Sequence, residues 1–308
     1  MKKNILYILP LMLLALGFTS SEKDAIKELS VITVDSYILN DFDKWLEASY
    51  INPYNISFKY RYEEIESDYN YYTVPADMES SVIMAHLVKY LCVETYNEVA
   101  GIDFTRSYFP KMFYLIGTWE FRNNGSYILG TAEGGKKILL AGINELKDHI
   151  DDADELNYYY IKTIHHEFTH ILNQTRDYPT SFAQVTPGSY VSDSQFSEPY
   201  NSAYLKRGFI SAYAQTEPRE DFAEMVAEYV THSTEWWENQ MQAADTKWED
   251  DKDQSQTGRA LIEQKLDIVR AYMNDTWKID IDKLRDCILR RQDNVMAGYV
   301  DLLDLTVD

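Results

Sequence analysis

The chain has only two cysteines in 308 residues, Cys92 and Cys287. They do not form a metal knuckle, which needs cysteines closely spaced in the chain. Each sits in an apolar helical pattern, Tyr90-Leu91-Cys92-Val93 and Asp286-Cys287-Ile288-Leu289. Buried free thiols are therefore expected, with a single disulfide as the alternative in an oxidising compartment. Positive charge is short as well: 29 Lys and Arg stand against 50 Asp and Glu, a net charge of −21. Phosphate backbones and anionic lipid surfaces repel such a chain, which excludes nucleic acid as an expected partner. The continuous apolar stretch at the start, residues 5–18, falls short of the roughly 20 residues of a membrane-spanning helix. Lys2 and Lys3 precede it and Ser20-Ser21-Glu22 follow. That order predicts an export signal over residues 1–21 and a mature protein from about residue 22. No internal repeat is visible.

What remains is a globular composition, 45% hydrophobic and 26% charged, able to bury a core. Residues 22–75 read as short strand-like runs among loops, with Ser57 to Tyr62 alternating as a half-buried strand does. Residues 77–99 read as a helix with Val82, Ala85, Val88, Leu91 and Cys92 on one face. Residues 111–143 read as β-structure: an apolar strand from Met112 to Trp119, a turn at Asn123-Asn124-Gly125, a continuation at Tyr127-Ile128-Leu129, a turn at Glu133-Gly134-Gly135 and a return over Ile138 to Ala141. A long helix is predicted over 154–174 and an irregular segment over roughly 177–203. Further helices are predicted over 218–240, 257–275 and 282–299. The charged stretch 248–253 reads as a solvated linker. This order predicts an α+β fold in which a sheet lobe, to about residue 150, and a C-terminal helical lobe, 204–308, flank a cleft.

The chemistry concentrates at His166-Glu167-Phe168-Thr169-His170. On a helix, two histidines four residues apart point the same way and can hold one zinc ion, while the intervening glutamate can take a proton from water at the metal. Ile161, Ile164, Phe168, Ile171 and Leu172 share the opposite, core-facing side. His165 falls nearer that side and reads as a structural histidine. His86, His149 and His232 are isolated and are left out of the site.

A catalytic zinc takes three protein ligands. A third histidine six residues after the second, with glycine at three, is ruled out, because Arg176 and Asn173 occupy those positions. The segment Glu220 to Val230 offers a glutamate instead. Phe222, Met225, Val226 and Tyr229 form its apolar face; Glu220 and Glu224 project from the other, beside the small Ala223 and Ala227. Pro218 suits the opening turn. Glu220 is the candidate ligand. Glu224, one turn on, can accept the remaining ring N–H of a zinc histidine. Read alone, the same segment is also consistent with an acidic, solvated helix face.

The His166–His170 pair, the 50-residue gap and Glu220-Asp221-Phe222-Ala223-Glu224 resemble the glutamate-ligand zinc peptidases, and within them the catalytic domain of anthrax lethal factor. That resemblance implies a zincin-like fold and gives Tyr213, seven residues before Glu220, the task of donating a hydrogen bond to the oxyanion of a tetrahedral intermediate. The whole chain, including Asn52-Pro53-Tyr54-Asn55, is similar to the zinc-binding metallopeptidase lipoproteins of Bacteroidetes, which implies an outer-membrane nutrient-import assembly as partner. The lead-in Leu16-Gly17-Phe18-Thr19-Ser20 resembles a bacterial lipoprotein site, yet Ser21 stands where the lipid-bearing cysteine belongs.

The expectation is metal-assisted peptide hydrolysis in the cell envelope or outside the cell. One Zn2+ per chain is held by His166, His170 and Glu220, with Glu167 as general base and Tyr213 at the oxyanion. Strands 127–141 are the candidates for edge pairing with an extended peptide or protein substrate. Two other readings use the same residues: a non-catalytic zinc-binding envelope protein, and a hydrolase of non-peptide amides.

Overall fold

The computed structural model describes residues 38–66, 70–121, 127–133 and 136–307. The expected export signal, the turn at 123–125 and Gly134-Gly135 lie outside these. Residues Asn40–Asp308 form one compact unit around a single buried apolar cluster.

The α+β class is observed. Strands β1 (Ser57–Lys59), β2 (Met112–Leu115), β5 (Gly130–Glu133) and β6 (Lys137–Leu140) form a sheet in the order β1-β2-β6-β5, and β3 (Glu120–Phe121) pairs separately with β4 (Tyr127–Ile128). β1, β2 and β6 run parallel, while β5 pairs antiparallel with β6, Gly130 opposite Leu140. Phe113, Tyr114, Leu115, Ile138, Leu139 and Leu140 are buried; the near-continuous apolar runs of β2 and β6 suit a sheet covered on both faces.

Three stretches depart from the sequence reading. Residues 22–75 are not all strand and loop, because helix α1 occupies Asp41–Leu46 and continues with wider π-type turns over Glu47–Ile51. Asn40 and Asp43 form a capping box at its start, and Phe42, Trp45, Leu46 and Tyr50 bury one helical face. The strand expected from Met112 to Trp119 ends at Leu115, and Gly117 then passes so close to Pro75 O and Asn144 that no side chain fits there. The helix expected over 218–240 breaks at His232-Ser233, where Ser233 caps the next helix by accepting from Trp236 N–H at 3.1 Å. The remaining helices used below are α2 (Met78–Leu87), α3 (Lys162–Thr175), α4 (Pro218–Thr231), α5 (Thr234–Ala243), α6 (Gly258–Trp277) and α7 (Ile281–Met296). Both cysteines are buried free thiols, so the disulfide alternative is excluded. Within the charged stretch, Trp248 is half-buried: the Arg207 guanidinium lies over its ring, 4.8 Å from the centroid.

Helix α3 carries the histidine motif and follows directly on a helical lead-in, Ala153–Leu156 and the π-type turn Asn157–Ile161. Ile161, Ile164, Phe168, Ile171 and Leu172 are all buried. Phe168 packs edge-on against Tyr96 and Phe109, with centroids at 4.8 and 4.9 Å. At the sheet, Gly130 lets β5 come close: a Cβ there would lie 2.7 Å from Thr163 Cγ2 and 2.6 Å from Leu139 O. At the other flank α3 packs on α4, and Asn157 Nδ2 donates to Thr231 O at 2.7 Å. The start of the motif helix is thus tied to the end of α4, and the two helices run antiparallel.

Candidate metal centre

α4 is buried along nearly its whole length: every residue from Glu220 to Thr231. The acidic, solvated face that this segment could have presented is therefore absent. A charged helix is tolerated in that place only because its charges are partnered. Asp221 and Lys265 of α6 make an ion pair at 2.6 Å with both side chains fully buried. Tyr190 OH also donates to Asp221 at 2.9 Å, and Lys265 to Gly208 O at 2.8 Å. This anchor holds the irregular segment before α4 against the helix.

On the side facing α3 the structure brings His166, His170 and Glu220 together. Their donor atoms form a near-equilateral triangle: His166 Nε2 to Glu220 Oε2 3.1 Å, His170 Nε2 to the same oxygen 3.0 Å, and the two Nε2 atoms 3.0 Å apart. Ligands about 2.0–2.1 Å from a tetrahedral zinc lie roughly 3.3–3.4 Å from one another. A divalent ion therefore fits with a small outward movement, and the donor set, two imidazoles and a carboxylate, is one that zinc accepts. Among the described residues this is the one cluster of histidine, cysteine or acidic side chains with metal-holding geometry.

The surroundings are negative. Burial would lower the His166 pKa, but Glu220 and Glu224 outweigh it and push it up to about 10. A field that favours a proton there also favours a dication. Burial likewise opposes ionisation of Glu220, yet hydrogen bonds from both histidines hold its carboxyl well below the usual range.

Glu224 stands behind His166. Its Oε1 is 2.8 Å from His166 Nδ1, a close contact that is bent away from hydrogen-bond alignment. Its Oε2 takes a hydrogen bond from Ser211 Oγ at 2.6 Å and faces Lys162 Nζ at 3.3 Å. Lys162 also reaches Glu228 Oε1 at 3.0 Å, and Glu228 Oε2 lies 3.1 Å from His232 Nδ1. Burial would strip the Lys162 proton, but the two carboxylates raise its pKa above the usual lysine range. The chain from the motif to His232 is thus continuous. Ser211, Lys162 and Glu228 were missed from the sequence, although Lys162 is one turn before His166 and Glu228 one turn after Glu224.

Glu167 lines the same cleft as the three ligand candidates. Tyr213 sits on a short 3-10 turn, 39% exposed, with its ring 5.9 Å from that of His166. Burial and the charges of Glu220, Glu224 and Glu167 raise its phenol well above the usual value, so it remains a donor at neutral pH. His165 is buried on the core side, with Tyr96 OH 3.1 Å from Nδ1, and burial lowers its pKa to about 3. The cleft, of about 1250 Å³, extends from Asp154, Glu155 and Tyr158 at one end of α3 to Asn173, Asp177 and Tyr178 at the other. Leu129, Gly130 and Thr131 of the β5 region form part of its wall.

Comparison with known proteins gives a consistent result. A family model described as "Putative zinc-binding metallo-peptidase" matches residues 36–282. A crystal structure from Bacteroides caccae ATCC 43185, described in the same words, is 40% identical, with a TM-score of 0.71; the match covers 86% of this chain and 96% of that one. No protein with a curated description matches.

Proposed function

The chain belongs to this family of zinc-binding metallo-peptidases, and we propose that it is a zinc-dependent peptidase whose ion is held by His166, His170 and Glu220. The observation that carries this reading is the convergence of those three donors within 3.1 Å of one another, with Glu167 in the same cleft. A zinc ion held there supplies Lewis acidity, lowering the pKa of nearby water and polarising a carbonyl. The protein's own residues do the rest. Glu167 takes the proton of the attacking water and returns it to the departing amine. The Tyr213 hydroxyl donates to the oxygen that becomes negative as the carbonyl carbon turns tetrahedral. The Glu224 carboxylate, 2.8 Å from His166 Nδ1, steadies the ring by its charge and keeps Nε2 aimed at the metal position.

β5 is the outermost strand of its sheet, and its residues line the cleft. An extended peptide can add there by backbone pairing, which accepts many sequences. A protein that only stored zinc would need no carboxylate at position 167. The same reading puts the chain in the cell envelope, on the strength of Lys2, Lys3 and the apolar residues 5–18, with an outer-membrane nutrient-import assembly as candidate partner.

The test is Glu167→Gln. It keeps the side chain's size and the zinc ligands, so zinc content should match the wild type while peptide turnover falls below detection. A variant that still cleaves at the wild-type rate removes Glu167 from the mechanism.

A further inference from the structure

We propose that the cleft selects a basic side chain, lysine or arginine, on the residue that follows the scissile bond, seated against Glu228 with Tyr204 and Trp236 beside it. This rests on the peptidase reading above and adds a substrate class to it.

Direction comes first. In the proposed mode the peptide pairs with the open edge of β5 in the antiparallel sense that β5 already uses with β6, so it runs from the Glu133 end of that strand to its Gly130 end. Gly130 packs on Thr163, one turn before His166. Residues downstream of the cleaved bond therefore lie beside the start of α3, near Tyr158 and Lys162. Upstream residues lie toward Asn173, Asp177 and Arg219.

Charge separates the two halves. Seven carboxylates line the cleft, Asp154, Glu155, Glu167, Asp177, Glu220, Glu224 and Glu228, against one lysine and one arginine, Lys162 and Arg219. A bound divalent ion and neutral histidines still leave three negative charges in excess. In the upstream half Arg219 is held by Glu217 at 2.6 Å and reaches Glu220 at 3.5 Å, which leaves the single charge of Asp177. In the downstream half Lys162 alone faces Glu224 and Glu228, at 3.3 and 3.0 Å, and the exposed Asp154 and Glu155 stand at the rim. The larger share of the excess, four carboxylates against Lys162, is therefore downstream.

Acidic groups alone would be a solvated face; here they end in a cavity with aromatic walls. Trp236 stacks on His232 with ring centroids 4.0 Å apart, and His232 meets Glu228. Tyr204 lines the same space and feels the charges of Glu228 and Lys162, while burial raises its own pKa. Each Glu228 oxygen has one partner, Lys162 or His232 Nδ1, and a carboxylate oxygen can accept a second donor. A cationic side chain gains both the carboxylate and aromatic faces. An apolar one would desolvate Glu228 and Lys162 without replacing water, and an acidic one meets the excess negative charge.

The test uses the zinc-loaded full chain and a mixed peptide library, with cleavage sites mapped by mass spectrometry. kcat/KM is then measured for peptides differing only in Lys, Arg, Leu or Glu after the cleaved bond. Lys and Arg should exceed Leu by about tenfold, and Glu228→Gln should bring that ratio down to about one or two. The ratio, unlike the rate, does not move when a variant is merely less stable. Asp154→Asn with Glu155→Gln, both exposed, should lower the ratio by about threefold even if the Glu228 variant fails to fold. A preference for Leu or Glu, or a basic preference unchanged in Glu228→Gln and in the rim variant, overturns the proposal. If no peptide is cleaved, the peptidase reading fails, and the same peptides are titrated onto zinc-loaded Glu167→Gln by fluorescence anisotropy. A Kd about tenfold lower for the basic peptides then supports the pocket, and equal or weaker binding overturns it.

Discussion

The position of His166 depends on a carboxylate that lies outside the set of three candidate ligands, and Glu224→Gln measures that dependence. Glu224 is 3% exposed and has three neighbours: His166 Nδ1 at 2.8 Å, Ser211 Oγ at 2.6 Å and Lys162 Nζ at 3.3 Å. The glutamine amide keeps one acceptor oxygen. If that oxygen stays on His166, an NH2 group is turned on the Lys162 ammonium, which can only donate. If it turns to Lys162, the NH2 faces the N–H of His166. Either way one donor meets another. Losses of this kind at partners of zinc histidines weaken the metal by about 10- to 100-fold, roughly 1.4–2.7 kcal/mol. The assay is competition for zinc against a chromophoric chelator at fixed pH. Ser211→Ala, which removes one hydrogen bond to the same carboxylate, should raise the zinc Kd only about threefold to tenfold. A Kd for Glu224→Gln within about twofold of wild type would refute the argument that Glu224 orients His166.

Tyr213→Phe should leave zinc content unchanged and lower kcat by about 10²- to 10³-fold, the usual effect of losing one oxyanion donor; steady-state kinetics decides, and an unchanged kcat removes Tyr213 from the chemistry. Lys265→Met leaves the fully buried Asp221 carboxylate without its cation and should cost about 3–5 kcal/mol in denaturant unfolding. Adding Asp221→Asn should recover part of that loss, and no recovery would mean that the contact of Lys265 with the Phe209 ring, 3.8 Å from Nζ to the centroid, dominates the site instead of the Asp221 charge. Zinc should raise Tm by mass action, with about 2.7 kcal/mol gained at a free concentration of 100 times Kd, and EDTA should reverse the shift; a Tm indifferent to both would mean that zinc does not bind the folded chain.

The parts legible in the sequence share a reason. α3 announces itself because its apolar positions recur at helical spacing over Ile161, Ile164, Phe168, Ile171 and Leu172, all of which the fold buries. Glu220 stands out because a catalytic zinc needs a third ligand and the third-histidine position is occupied by Arg176. The hidden parts depend on what covers a residue. A lysine at position 162 reads as solvent-facing on its own helix; only the approach of α4 turns it into a link between Glu224 and Glu228. Ser211 sits in a segment with no period, so nothing local marks it. Asp221 and Lys265 are 44 residues apart, and each reads as surface charge until the helices are packed. α1 was missed because its buried face has few positions and its capping box at Asn40 and Asp43 is short.

The central claim is a three-ligand zinc centre at His166, His170 and Glu220. Its most direct test is elemental analysis of the purified chain, wild type beside Glu220→Ala, after zinc is supplied and the excess removed. The account predicts about one zinc per wild-type chain and little in the variant. Zinc retained in full by Glu220→Ala would contradict the choice of third ligand, and a wild type that stays empty would contradict the centre itself.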